Sequence, residues 1–148
     1  MIKFLEIKPD IGLGDFVFGD TIDVIKSALG EPDDTEILND EDFETKIITY
    51  FEEGITFFFE GEDNSIFTCV EIDNEDALIF GKKIIGKNEK EIIGLMSDHG
   101  YTEYETDVEE WGEKRISYEK NAIDFFFQDD ELISVSWASL DLNLGGDI

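Results

Sequence analysis

The feature that most constrains this chain is that it reads twice. Shifted by 67 positions, Gly14-Asp15-Phe16-Val17-Phe18-Gly19 falls on Gly81-Lys82-Lys83-Ile84-Ile85-Gly86, and both read G-x-x-apolar-apolar-G. At that offset Ile25, Ala28 and Leu29 fall on Ile92, Leu95 and Met96. Shifted by 68, Ile48, Tyr50, Ile55 and Phe57-Phe58-Phe59 fall on Ile116, Tyr118, Ile123 and Phe125-Phe126-Phe127. A match that keeps its order along the chain signals a duplicated structural unit. The expectation is one domain over residues 1–148, with internal repeats at 10–74 and 77–140.

Each unit opens on a short apolar segment and continues into a helix. Thr21 is a suitable N-cap and Gly30 a stop, with Ile22, Ile25 and Leu29 on one stripe. Asn88 with Glu91 three residues on has capping-box spacing, and Ile92, Leu95 and Met96 make the second stripe before Gly100. An acidic linker follows each helix. Alternation then predicts three strands per unit: Lys46–Phe51, Ile55–Glu60 and Ile66–Ile72, then Arg115–Glu119, Ile123–Gln128 and Leu132–Ala138. The short turns between them, Gly61–Ser65 included, suit hairpins. Three strands and one helix cannot close a core alone, but two such units can. The expected class is therefore α+β: two tandem helix-plus-three-stranded antiparallel meander repeats forming one sheet, with helices on one face.

Side chains alternate across a strand. Ile55, Phe57 and Phe59 share a face, as do Ile123, Phe125 and Phe127, and as do Ile133, Val135 and Trp137. These are expected under the helices. The opposite face then carries Thr56 and Phe58 in one unit and Asp124 and Phe126 in the other, with Ser134 and Ser136 nearby. Phe58 and Phe126 are the candidate aromatic anchors of a binding face, since exposed aromatics mark interaction sites. Trp111, inside the acidic stretch Asp107–Glu113, is either a third anchor or a side chain packed back onto the sheet.

The run Phe18-Gly19-Asp20-Thr21-Ile22-Asp23-Val24-Ile25-Lys26-Ser27-Ala28-Leu29-Gly30-Glu31-Pro32-Asp33 resembles the helical signature of the BamE/SmpA-like and beta-lactamase-inhibitor-protein-like superfamily of small bacterial proteins. A tandem repeat that assembles one sheet is similar to the inhibitor-protein arrangement. The starts of the repeats also resemble small bacterial proteins of the toxin-immunity type. The resemblance implies a binding scaffold used on its sheet face, with no inherited catalytic residues.

The search for chemistry returns little. The one His, His99, sits in the last turn of the second helix, where a cation suits the helix dipole. The one Cys, Cys69, excludes an internal disulfide and a thiolate metal cluster. Phosphate-loop, dinucleotide and zinc-protease motifs are absent. The acidic groups Glu31–Asp34, Asp40–Asp42 and Asp129–Glu131 lack EF-hand spacing and read as solvated turns. No catalytic set, metal site or cofactor is expected. The N-terminus lacks the unbroken apolar run of a secretory signal, and the reading is cytoplasmic.

Charge says more. The formal charge is −27, which disfavours nucleic acid and anionic membrane as ligands. Such a field steers a cationic partner toward its target. The functional expectation is a non-catalytic, acidic protein-binding module, most concretely an immunity or antitoxin-type inhibitor of a basic partner such as a toxin domain. The alternatives are a structural module forming a homodimer through sheet edges or the Phe pair, and a protein that binds a small ligand or a cation.

Overall fold

The computed structural model describes residues 5–39, 44–60 and 66–140. In chain order the elements are β1 (Glu6–Lys8), β2 (Gly12–Leu13), β3 (Phe16–Val17), α1 (Ile22–Leu29), β4 (Asp34–Asn39), β5 (Glu44–Tyr50), β6 (Ile55–Glu60) and β7 (Ile66–Ile72). There follow β8 (Leu78–Ile79), β9 (Lys82–Lys83), α2 (Glu89–Asp98), β10 (Glu105–Val108), β11 (Glu113–Tyr118), β12 (Ile123–Gln128) and β13 (Glu131–Ala138).

The strands form two sheets. The larger has eight antiparallel strands in the order β10-β11-β12-β13-β7-β6-β5-β4, so β13 and β7 meet at its centre. The smaller has five in the order β3-β2-β1-β8-β9, with β1 and β8 parallel. This overturns the expected single sheet of helix-plus-three-strand units: among the described residues the fold is mostly β, with two α-helices and two sheets. Two things account for the difference. The acidic linkers pair their backbones as outer strands, β4 on β5 and β10 on β11, so each helix is followed by four strands. The short apolar segments that open each half do more than lead into the helices: they form β3 and β9, the two edges of a second sheet joined through β2, β1 and β8.

The helices begin as their sequences direct. Asn88 Oδ1 accepts from the Glu91 N–H at 2.9 Å while Glu91 Oε1 accepts from the Asn88 N–H at 3.0 Å, a complete capping box. Thr21 occupies the N-cap of α1 without a side-chain cap bond, and Gly30 closes that helix at φ 86°.

The inner face of the large sheet is the core. Ile55, Phe57, Phe59, Ile123, Phe125, Phe127, Val70, Ile72, Val135 and Trp137 are all buried there. Over them lie Ile25 of α1, Ile92 and Met96 of α2, and Ile7, Leu13, Phe16 and Ile79 of the small sheet, in one continuous cluster. Each such aliphatic or aromatic side chain contributes about 1.5–3 kcal/mol by leaving water. Phe16 meets Phe57 edge-on at 5.8 Å, and the Trp137 indole N–H donates to the Gly12 carbonyl at 3.0 Å, which ties the two sheets together. A Cβ at Gly12 would run into the Phe16 carbonyl oxygen, so glycine is required at this contact.

One expected core residue moves. Register shifts fall between Phe58 and Phe59 and between Phe126 and Phe127. The second pairs Phe127 with Leu132 and Phe126 with Ser134, so Ile133 is bulged out and exposed while Leu132 takes the core position. The Gly61–Ser65 turn lies outside the described residues.

Candidate functional site

Strand pairing assembles a continuous row across the outer face of the large sheet. Glu105 lies opposite Ser117, Ser117 opposite Asp124, and Asp124 opposite Ser136. Ser136 then faces Glu71, Glu71 faces Thr56, Thr56 faces Thr49, and Thr49 faces Asp34. All eight strands contribute, and the row consists of four carboxylates and four hydroxyls, alternating from Glu105 to Thr56 and then running Thr56, Thr49, Asp34, with no cation and no large apolar side chain. At about 4.8 Å per strand it spans roughly 34 Å. Among the described residues no helix packs on this side; the core lies wholly on the other.

The candidate residues sort onto this face unevenly. Thr56, Asp124 and Ser136 belong to the row itself. Phe126 and Ser134 form the directly opposed pair one step to one side, next to Arg115. Phe58 lies one step to the other side, opposite Cys69 and Ile47. Both Phe rings are half-buried. They are three strands apart and offset by four residues along the sheet, a separation of about 20 Å. They are therefore two separate rings flanking the polar row, not an aromatic pair. Trp111 does not join them: it stands at the turn between β10 and β11, 68% exposed, and does not pack back onto the sheet.

Two residues that the sequence reading did not place on this face sit at its middle. Glu71 is central, and its carboxyl is pushed up by burial first and then by the charges of Asp73 and Glu113. Cys69 is its neighbour on β7; burial pushes its thiol up to about 11, and its Sγ lies 3.9 Å from the Ser136 hydroxyl. The alternation of β7 contained the signal, because Cys69 and Glu71 fall out of phase with the buried Val70 and Ile72. Among the described residues two cations stand beside the row: Arg115, held by the Asp107 carboxylate, and Lys120, which shares a cleft with Glu105 and Ser117 and pairs with Glu103 at 2.9 Å.

A second concentration of carboxylates lies at the β4–β5 end. Glu31, Asp33, Glu52 and Glu53 line a cleft of about 370 Å³ with Leu29, Tyr50 and Phe51. The Tyr50 hydroxyl donates to the Gly30 carbonyl at 2.8 Å. Burial, followed by the charges of Glu31, Glu53 and Asp33, pushes it up to about 12.

The chemistry-bearing residues stay apart. His99 caps α2, lies 3.1 Å from the Leu95 carbonyl through Nδ1, and stacks on Phe80 at 3.8 Å. Cys69 has Ser136 as its neighbour instead. Asp40–Asp42 lie outside the described residues. Among those described, no group of three His, Cys, Asp or Glu side chains is arranged to hold a metal ion. No described helix is long and apolar enough to cross a membrane.

No protein-family model and no curated protein matches this chain. Among solved structures it is similar to an extracellular protein containing an SCP domain from Bacillus anthracis, at 12% identity and a TM-score of 0.48 over 82% of this chain and 44% of that one. It is similar to a cysteine-rich secretory protein from Staphylococcus aureus, at 16% identity and a TM-score of 0.47 over 98% and 56%. It is also similar to a candidate beta-lactamase inhibitor protein from Streptococcus mutans, at 16% identity and a TM-score of 0.35 over 87% and 86%. The chain thus spans about half the length of the first two. These are distant likenesses of shape, and the function proposed next rests on the geometry of the site.

Proposed function

We propose that this chain is a non-catalytic protein-binding module of the cytoplasm, an acidic immunity- or antitoxin-type inhibitor that docks a basic partner on the outer face of its large sheet. The observation that carries the reading is the eight-strand row of carboxylates and hydroxyls, uncovered by any described helix, in a chain of formal charge −27. Such a face offers hydrogen-bond partners through its hydroxyls and attracts guanidinium and ammonium groups through its carboxylates. Phe58 and Phe126 supply apolar contact on either side of the row, and the acidic β4–β5 end extends the field.

The scaffold reads as two copies of one unit, residues 10–74 and 77–140. Matching bonds support this. Gly19 N–H donates to Phe67 O and Phe67 N–H to Asp20 O; likewise Gly86 N–H donates to Leu132 O and Leu132 N–H to Lys87 O. The two register shifts also fall inside corresponding Phe triplets.

The test is capture from the native host's lysate with wild-type bait and a Glu71→Lys/Asp124→Lys bait, at about 0.05 M and 0.5 M salt. A basic protein held by the wild type at low salt, released at high salt and missed by the variant is the expected result. Recovery of no basic protein, or equal recovery by both baits, overturns the proposal.

A further inference from the structure

Four of the eleven basic residues of this acidic chain fall within residues 82–90, namely Lys82, Lys83, Lys87 and Lys90. Lys83 pairs with Asp76 at 3.2 Å. Among the described residues no ion pair holds the other three, and they converge on one shallow groove of about 320 Å³. Its floor is apolar, made by Gly94 and Leu95 of α2, and its remaining walls are Glu91 and Asp98. Glu91 is already engaged as the helix cap.

The complement of this groove lies on the same molecule. The β10–β11 turn presents Val108 and Trp111, each 68% exposed, among Asp107, Glu109, Glu110 and Glu113. The turn is rigidly made: Glu109 N–H donates to Glu113 O at 2.7 Å and Gly112 N–H to Glu109 O at 3.0 Å. The tip and the groove are also close neighbours. Lys114, just past the tip, bridges to Glu89 at 2.7 Å, and Glu89 opens the helix that floors the groove.

We infer that a second copy of this chain is the ligand of the groove. The hairpin tip of each copy inserts Trp111 over Leu95, and Glu109 and Glu110 meet Lys87, Lys90 and Lys82. Two complementary patches side by side make one self-complementary surface, which closes as a two-fold dimer instead of growing into a filament. An exposed tryptophan seated on an apolar floor within a charged rim is the usual composition of an interface hot spot. This contact uses none of the eight residues of the outer row. Long-range repulsion between two −27 molecules opposes the contact until salt screens it beyond about 8 Å, near 0.15 M.

Analytical ultracentrifugation of the full chain between about 10 µM and 1 mM tests this. Dimerisation is expected to strengthen from about 0.01 to 0.15 M salt and to weaken again near 1 M, where the contact pairs themselves are screened. Trp111→Ala, and separately Lys87→Glu/Lys90→Glu, should each weaken it at least about tenfold. Trp111 and Lys90 are exposed and Lys87 is half-buried, and none belongs to the core, so circular dichroism should stay at the wild-type signature. An equimolar mixture of the two variants should form more dimer than either alone, because one intact tip–groove contact remains. A monomer at every concentration and salt, association that only rises with salt, variants that dimerise like wild type, or a mixture no better than its components would each overturn the inference.

Discussion

Trp137 and Tyr118 are the two largest fully buried side chains, and both carry a polar atom into the core. Their situations are opposite. The Trp137 N–H is satisfied by Gly12 O across the two sheets, whereas the Tyr118 hydroxyl has no partner among the described residues. Removing a satisfied donor leaves an orphaned carbonyl and a small void, so Trp137→Phe should cost about 2–4 kcal/mol in urea unfolding. Removing an orphaned hydroxyl leaves neither, so Tyr118→Phe should be neutral or stabilising by about 1 kcal/mol in the same assay.

Glu71 makes a prediction in pH. Its folded pKa lies above its unfolded value, because burial and then Asp73 and Glu113 disfavour the charge. The folded state therefore holds the proton more tightly than the unfolded chain does. That contribution to stability is fully present below the unfolded value and is lost as pH rises through the folded one. Calorimetry should show Glu71→Gln melting above wild type at pH 7, with the difference shrinking as pH falls toward 4. A gap that is constant with pH would mean that the substitution acts through packing and not through charge.

At the scale of elements, the two helix starts are a matched experiment. Asn88→Ala removes a reciprocal cap and should cost about 1 kcal/mol, while Thr21→Ala, with no side-chain cap bond to lose, should cost only a few tenths. Equal losses in denaturant titrations would refute the assigned difference. The edge strands carry a second lesson. Both outer strands are strongly acidic, Asp34-Thr35-Glu36 in β4 and Glu105-Thr106-Asp107 in β10, so pairing edge to edge would set like charges against each other. This composition also explains why they were illegible beforehand. β10 is exposed on both faces and β4 over its described positions, so neither leaves an alternating apolar pattern to read. The six inner strands did leave one, and alternation placed three of them, Ile55–Glu60, Ile66–Ile72 and Ile123–Gln128, residue for residue. The two-residue strands of the small sheet are shorter than one period of any pattern. The bulge that exchanges Ile133 for Leu132 is a matter of pairing between strands, which a single strand cannot announce. In the site, alternation correctly set Phe58, Thr56, Asp124 and Phe126 on the outer face. The separation of the two rings depends on the order of strands between them, which the duplicated halves alone do not fix.

For the whole molecule the dominant quantity is charge. Self-repulsion at −27 opposes compactness, and added salt relieves it. Tm should therefore rise between about 0.01 and 0.3 M sodium chloride, in contrast to a protein held together by surface ion pairs. The few described ion pairs are mostly exposed and oppose this trend only weakly. A falling Tm over that range would show that local pairs outweigh the global field.

The parallel contact of β1 with β8 joins residues some seventy positions apart, Glu6 with Leu78 and Ile7 with Ile79. A ribosome therefore delivers the amino-terminal ribbon long before its neighbour exists. β13 reaches β7 later still, and the Trp137 clasp on Gly12 is among the last contacts the growing chain can make. Cutting the gene between the duplicated segments would yield fragments that each lack a wall, so reconstitution of this protein from its halves should require both to be present while they fold.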